Sequence, residues 1–273
     1  MSKVGIFDSG LGGLTVARAI ARRFPASNLI YLGDTARLPY GAKSEEAVTR
    51  YAVRCVRYLV ELGAETIVVA CNTASACALP TLQATYGKTR VLGVIEPGAR
   101  AAVAATTSGA IGVIGTERTV SSRGYHNAIA ALAPDARVTA LATPVLVPLV
   151  ETGWIDHPVT RLTIETYLQE LHSAAPGIDT LVLGCTHYPV LRTLLTELTT
   201  AIFGRTVHLV DSAEAIAEAL APALMGLRSG DRQGGLGERH FAVTDLPASF
   251  AKVAATFWPE TLPPVEAVDL TMD

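Results

Sequence analysis

Residues 67–73 read IVVACNT, a β-branched apolar run that ends on a cysteine followed by polar residues. Residues 181–187, LVLGCTH, repeat this order of residue types. Upstream of each run lies a second matching pair, VGIFDS at residues 4–9 and IGVIGT at residues 111–116, at similar separations. Self-similarity of this kind predicts two related α/β halves, with a chance likeness between apolar strands as the alternative.

Short apolar runs alternate along the chain with longer segments of helical period, which is typical of a parallel sheet wound by helices on both faces. Residues 44–62 place Val48, Cys55 and Leu59 on one stripe of a predicted helix. We therefore expect an α/β fold of two pseudo-symmetric doubly wound lobes with mainly parallel sheets. The strands are expected near residues 3–7, 28–32, 65–70, 91–95, 110–114, 137–141, 179–184 and 206–210.

The composition limits the classes of partner. Hydrophobic residues make up 49% of the 273 residues, charged residues 17%, and the formal net charge is −3. Proteins that bind nucleic-acid phosphates or anionic lipids usually carry an excess of basic residues, which this chain lacks. We therefore expect neither nucleic acid nor a membrane as partner. The N-terminus has no signal-peptide pattern, and the apolar residues 138–150 are too short to span a bilayer. Four scattered cysteines without a disulfide pattern indicate free thiols and a cytoplasmic location.

Two of the cysteines, Cys71 and Cys185, lie where a predicted strand ends and polar residues follow. Ligands of open α/β sheets bind at this edge. The free N–H groups and the dipole of a following helix are expected to stabilise a thiolate there. Cys55 and Cys77 are expected to be small buried core residues instead.

The matched positions of Cys71 and Cys185 predict that they lie on opposite sides of a cleft between the lobes, and not in a disulfide. Two thiols that face one small amino acid suit the removal of a proton from one side of a carbon and the return of a proton to the other. A thiolate and a thiol then exchange roles at each turnover. The product is the mirror image of the substrate.

The glycine-rich segment DSGLGG at residues 8–13 follows the first strand, and Asp34 ends the second, so a dinucleotide-binding fold has to be considered. The fit is poor, because the third glycine position of that fingerprint falls on Thr15 and Asp8 would lie beside a pyrophosphate. We favour a turn in which Ser9 and the nearby backbone amides bind a carboxylate while Asp8 assists a thiol or an ammonium group. A purely structural tight turn is the alternative.

His187 follows Cys185 closely enough to be its proton partner, and Glu151 could orient His187 or be a solvated loop residue. Cys185 and His187 alone do not complete a zinc site, and no lysine lies in a pyridoxal-type motif, so we expect neither metal nor cofactor. Residues 39–41 are interpreted first as a turn and second as a ligand-binding rim. Thr119 is a candidate cap for a nearby helix.

Five longer sequence motifs follow one another along the chain. They are GIFDSGLGG at residues 5–13, DTARLPYG at 34–41, ACNTAS at 70–75, GVIEPG at 93–98 and LGCTHYP at 183–189. In these motifs the chain resembles the glutamate racemases of the cofactor-independent aspartate/glutamate racemase superfamily. The resemblance covers most of the chain, and the segment after about Arg228 adds nothing to it. Residues 229–237, which are rich in glycine, are expected to form an exposed loop.

The resemblance implies interconversion of L- and D-glutamate without a cofactor, to supply D-glutamate for peptidoglycan. It implies that Cys185 takes the proton from the L-enantiomer and Cys71 from the D-enantiomer, assisted by Asp8, Glu151 and His187. The residues that it implies for substrate binding are Asp8, Ser9, Tyr40, Gly41, Asn72, Thr73, Thr116, Thr119, Thr186 and His187.

The resemblance also implies two lobes with the active-site cleft between them. Residues 1–97 plus 210–273 would carry Cys71, and residues 98–209 would carry Cys185. The oligomeric state stays open, with a homodimer among the alternatives. Three other functions also stay open: racemisation of a related amino acid such as aspartate, amide hydrolysis with Cys185 as nucleophile and His187 as base, and non-catalytic amino-acid sensing.

Overall fold

The computed structural model describes residues 3–224, 235–246 and 250–270. The strands are β1 Lys3–Asp8, β2 Asn28–Gly33, β3 Thr66–Val69, β4 Val91–Gly93, β5 Ala110–Gly115, β6 Arg137–Ala142, β7 Thr180–Gly184, β8 His208–Asp211, β9 Arg239–Val243 and β10 Val265–Ala267. The helices are α1 Leu14–Arg23, α2 Glu45–Glu61, α3 Asn72–Tyr86, α4 Ile95–Ala105, α5 Glu117–Ser121, α6 Gly124–Leu132, α7 Leu146–Glu151, α8 Pro158–Ala174, α9 Arg192–Phe203, α10 Ser212–Ala219 and α11 Phe250–Phe257. Short 3-10 helices cover Thr35–Arg37, Tyr40–Ala42 and Tyr188–Leu191.

The strands form two sheets in which every hydrogen-bonded pair is parallel. The first sheet has the order β10-β9-β2-β1-β3-β4 and the second the order β6-β5-β7-β8. The predicted α/β class with two parallel sheets is therefore confirmed. The eight predicted strands are all present within one or two residues, whereas β9 and β10 were not predicted. Of the loop expected at residues 229–237, residues 229–234 lie outside the described residues.

The two sheets share one strand order. Strands β2-β1-β3-β4 of the first sheet correspond to β6-β5-β7-β8 of the second, and β9 and β10 extend the first sheet beyond β2. The matching sequence runs at residues 4–9 and 111–116 become β1 and β5, each paired with the strand that precedes a cysteine. The repeat in the sequence is therefore a repeat in topology.

The central strands are buried along their whole length. Strands β3, β5 and β7 are fully buried, as expected of parallel strands covered by helices on both faces. Helix α2 begins after Ser44, whose side chain accepts a hydrogen bond from the Ala47 amide. Its buried stripe includes Cys55, so the prediction of a core cysteine is confirmed.

The carboxyl ends of the central strands point to one cleft. Asp8 ends β1, Cys71 follows β3, Thr116 follows β5 and Cys185 follows β7. In sheets of this order a ligand binds at the switch point between the first and third strands, and here two such points face each other. The packing below them is continuous, because one apolar cluster contains Ile6 of the first sheet and Leu183 of the second. Within the described ranges, no helix has both the length and the apolar character needed to cross a bilayer.

Candidate active site

One cavity of about 190 Å³ lies between the two switch points. A cavity of this size suits a small molecule. Both Cys71 and Cys185 line it. The other lining residues are Ser9, Gly10, Leu38, Pro39, Tyr40, Gly41, Ala42, Asn72, Thr73, Thr116, Glu117, Pro144, Val147, Pro148, Glu151, Gly184, Thr186 and His187.

Cys71 is the N-cap residue of α3, where its sulfur accepts a hydrogen bond from the Ala74 amide at 3.4 Å. Its thiol also lies 3.4 Å from the Ser9 hydroxyl oxygen. Burial, and after it the charge of the nearby Asp8 carboxylate, raise the pKa of Cys71 to about 12, although the hydrogen bonds with Ser9 and the Ala74 amide act to lower it. The helix N-terminus is present as expected, but the expected net stabilisation of a thiolate is wrong, because desolvation outweighs the helix.

Asp8 is fully buried behind the cavity wall. Its Oδ2 accepts from the Gly10 amide at 2.9 Å, and its Oδ1 accepts from the Thr186 hydroxyl at 3.4 Å. Burial raises the pKa of Asp8, while the charge of His187 and these hydrogen bonds oppose the rise. Asp8 therefore connects the turn after β1 with the segment that carries Cys185.

Cys185 lies in a different local structure. The chain after β7 makes a turn and a 3-10 helix, Tyr188–Leu191, and α9 begins only at Arg192. The prediction that a helix opens directly after Cys185 is therefore wrong. The two sequence runs match as strands, and their local structures diverge after the cysteine.

His187 lies between Cys185 and Glu151. Its Nδ1 is 3.8 Å from the Cys185 sulfur, and its Nε2 is 3.0 Å from Glu151 Oε1. Burial lowers the pKa of His187, but hydrogen bonds and charge interactions with Cys185 and Glu151 outweigh burial and raise the pKa to about 10. The ring also packs edge-on against Phe257 at 5.2 Å. At neutral pH this side of the cavity therefore holds a positively charged imidazolium close to the Cys185 sulfur.

The glycine-rich turn leaves space for both groups. A Cβ atom at Gly12 would lie 2.4 Å from His187 Nδ1, and a Cβ atom at Gly13 would lie 2.3 Å from the Asp8 Cβ. Asp34, the candidate ribose ligand of the dinucleotide alternative, is buried and accepts hydrogen bonds from Arg37, Tyr40 and Thr244. The turn therefore serves the two polar side chains of the site, and Asp34 has no free face for a ribose.

A cluster of hydroxyl groups closes the cavity between the lobes. Thr73 Oγ1 lies 2.9 Å from Thr116 Oγ1 and 3.3 Å from Thr119 Oγ1. The cap of α5 is Thr116, whose hydroxyl accepts from the Thr119 amide, so the prediction that Thr119 caps a helix is wrong. Gly41 packs against Thr116, where a Cβ atom would be 2.8 Å away.

The residues implied for substrate binding fall into two groups. Ser9, Tyr40, Gly41, Asn72, Thr73, Thr116, Thr186 and His187 line the cavity, whereas Asp8 and Thr119 lie behind its wall. The Tyr40 hydroxyl is occupied, because it donates to Asp34 Oδ2 at 2.5 Å.

Several lining residues were not predicted. Glu117 is a charged residue among them. Its position next to Thr116, just after a predicted strand end, could have indicated that it lines the cavity. Pro144, Val147 and Pro148 are apolar, and nothing in their sequence distinguishes a cavity wall from a core.

Comparison with known proteins gives a matching family and several similar proteins. The Asp/Glu/Hydantoin racemase family matches residues 12–220. A glutamate racemase of Geobacter metallireducens is 50% identical over 257 residues, which are 93% of this chain and 92% of that protein. One of Syntrophus aciditrophicus is 46% identical over 98% of this chain and 96% of that protein.

Solved structures give the same result. A glutamate racemase isoform of Bacillus anthracis superimposes with a TM-score of 0.87 at 38% identity, over 98% of both chains. A Francisella tularensis glutamate racemase, solved in complex with D-glutamate, also gives 0.87, at 30% identity and over 98% of both chains. The chain therefore belongs to the Asp/Glu/Hydantoin racemase family, in which it groups with the glutamate racemases.

Proposed function

We propose that this chain interconverts L- and D-glutamate, with Cys71 and Cys185 as the acid and base groups, and so supplies D-glutamate for peptidoglycan synthesis. The observation that carries the proposal is that two thiols from two equivalent strand ends line one small cavity. The relatives of similar length are named glutamate racemases, which supports glutamate as the substrate.

The environments of the two thiols support a division of labour. In the resting protein Cys71 is a thiol, because burial and Asp8 hold its proton. On the other side, His187 lies 3.8 Å from the Cys185 sulfur, and its raised pKa of about 10 keeps a positive charge beside that sulfur at neutral pH. We therefore assign Cys185 the role of the base that removes the α-proton of the L-enantiomer.

The proton balance closes in each direction. The Cys185 sulfur takes the α-proton of L-glutamate, and the pair of electrons left on carbon takes a proton from the Cys71 thiol on the other face. The protein then holds a Cys185 thiol and a Cys71 thiolate, which is the starting state for D-glutamate. A buried thiolate of high pKa is a strong base, as removal of a weakly acidic α-proton requires.

The polar groups of the wall supply binding partners for the substrate. The hydroxyl groups of Thr73, Thr116 and Thr186 can donate to carboxylate oxygens. Ser9 lies at the end of β1 on the Cys71 side of the cavity, where its hydroxyl oxygen can accept from the substrate ammonium group. The carboxylate of Asp8, buried behind the wall, attracts that group through its charge and without contact.

The test is incubation of purified, chelator-treated protein with D-glutamate in heavy water, followed by chiral chromatography and mass spectrometry. We expect L-glutamate with one deuterium at the α-carbon, no ammonia, and a much slower reaction with aspartate. Ammonia released from an amide such as glutamine, without exchange, would support amide hydrolysis instead. Glutamate binding without exchange would support a sensor, and faster turnover of aspartate would overturn the assignment of the substrate.

A further inference from the structure

Tyr125 on α6 is a buried tyrosine that contacts the residues next to both thiols. Its hydroxyl donates to Oδ1 of Asn72, the residue after Cys71, at 2.7 Å. Its ring packs against Gly184, the residue before Cys185, where a Cβ atom would lie 3.3 Å from Tyr125 Cε2. Tyr125 itself is outside the cavity lining and 2% exposed. It therefore touches the cavity wall from behind, on both sides.

The ring of Tyr125 is confined. On its other side lies Gly98 of α4, where a Cβ atom would be 3.2 Å from both Tyr125 Cε1 and the hydroxyl oxygen. Contacts of this length leave no room for a methyl group unless the ring moves. Two glycines therefore give the phenol one position, in which its hydroxyl reaches Asn72.

Asn72 has one amide atom satisfied and one that is not. Oδ1 accepts from Tyr125, whereas Nδ2 is buried without a hydrogen-bond partner among the residues that the structure describes. A buried donor without a partner is costly, so a native protein that keeps one calls for an explanation. Asn72 lines the cavity, and an acceptor atom on a bound molecule would satisfy Nδ2.

The direction of the hydrogen bonds determines which end of the amide is free. The Tyr125 hydroxyl donates to Asn72, and only the oxygen of the amide can accept that proton. This hydrogen bond thus keeps the amide oxygen away from a ligand and leaves the amide N–H₂ for it.

We propose that Tyr125 is a positioning residue, which fixes the amide of Asn72 so that its nitrogen donates to a carboxylate of the bound amino acid. This inference rests on the proposed function. A flipped amide would present an oxygen to the carboxylate, and two acceptors repel each other. Tyr125 therefore acts on the binding of a carboxylate common to both enantiomers, and not on the proton transfer.

The first test is Tyr125→Phe, which removes one hydroxyl and keeps the ring between the two glycines. We expect KM to rise about tenfold for both L- and D-glutamate, since a carboxylate contact is weakened, while kcat stays within about twofold. The two enantiomers have equal free energy in water, so kcat/KM must fall equally in both directions. Tyr167→Phe, which removes the same atom from a half-buried tyrosine on α8, is the matched control and should leave both constants unchanged.

The second test separates positioning from packing. In an Asn72→Ala background, Tyr125→Phe should change KM by less than about twofold, because its target is gone. Gly98→Ala keeps the phenol and places a Cβ atom 3.2 Å from its hydroxyl oxygen, so it should displace the hydroxyl from Asn72 and raise KM about threefold without Tyr125 being altered. This variant gives the answer if Tyr125→Phe folds poorly, which circular dichroism and Tm would reveal.

The outcomes are distinct. If the unmodified protein racemises glutamate and Tyr125→Phe leaves KM unchanged, the positioning role is overturned and the proposed function stands. Equal rises in KM with and without Asn72 would likewise overturn it in favour of a packing role. If the unmodified protein neither racemises glutamate nor exchanges its α-hydrogen, the proposed function fails and this inference fails with it.

Discussion

The two sides of the cavity present the same sulfur atom in opposite electrostatic surroundings. Cys71 caps a helix and faces a buried carboxylate, Asp8, and its pKa is raised to about 12. Cys185 lies in a turn and faces His187, whose pKa is raised to about 10. One side therefore retains a proton on sulfur, and the other retains a proton on a histidine beside the sulfur.

This difference shows how a pseudo-symmetric fold supports a reaction that needs unlike partners. Equivalent strand ends bring the two thiols to one cavity, and the reaction requires that one thiol holds a proton while the other does not. The residues after each cysteine remove the symmetry. Asn72 and Thr73 open a helix on one side, whereas His187 brings an imidazole and its partner Glu151 on the other.

The largest effect is expected from replacing either thiol. Cys71→Ser and Cys185→Ser should each lower racemisation by at least about 10³-fold in both directions, since every turnover needs one acid and one base and a hydroxyl is a far weaker acid than a thiol. Polarimetry from each enantiomer, with Tm to establish folding, measures this. Near-normal activity in either variant would show that the two sides are not an acid/base pair.

A smaller effect is expected in the pH dependence of kcat/KM, which depends on the groups on the Cys185 side of the cavity. We expect kcat/KM to fall as pH rises through about 10, where His187 loses its proton and no longer places a positive charge beside the Cys185 sulfur. Glu151→Gln removes one of the two groups that raise the pKa of His187, so this falling limb should move to lower pH. Glu165→Gln on α8 is the control and should leave the profile in place. If the falling limb of the pH profile did not move in Glu151→Gln, Glu151 would not be a group that raises the pKa of His187.

The raised pKa of His187 also predicts how the free energy of unfolding changes with pH. The pKa of His187 is raised above the unfolded value of about 6.5, so its contribution to the free energy of unfolding is complete below that pH and disappears as pH rises to about 10. Urea unfolding of the protein and of Glu151→Gln should therefore differ most at pH 6 and converge near pH 10. A gap that widens with pH would contradict the assigned direction.

Much of the fold could be predicted from periodicity, because strands buried on both faces are continuous apolar runs. β9 and β10 could not, since Arg239 and His240 begin β9 and only three residues make β10, so neither has such a run. The thiols could be placed at strand ends, but the pKa of Cys71 could not, because the burial that raises it depends on how distant segments of the chain pack around it. Tyr125 could not be found either, since nothing near it in sequence indicates a contact with Asn72.

The smallest effect is expected at a third buried thiol, Cys55, which can be compared with the two thiols that line the cavity. Cys55 on α2 is fully buried in an apolar cluster, and burial raises its pKa well above the usual value, as for Cys71. It lies outside the cavity lining, so Cys55→Ala should cost about 1 kcal/mol in the free energy of unfolding and leave kcat and KM unchanged. Urea unfolding and initial rates measure both. If activity fell together with stability, Cys55 would not differ in function from the two thiols that line the cavity. A loss of stability alone would show that a buried cysteine takes part in the reaction only when it lines the shared cavity.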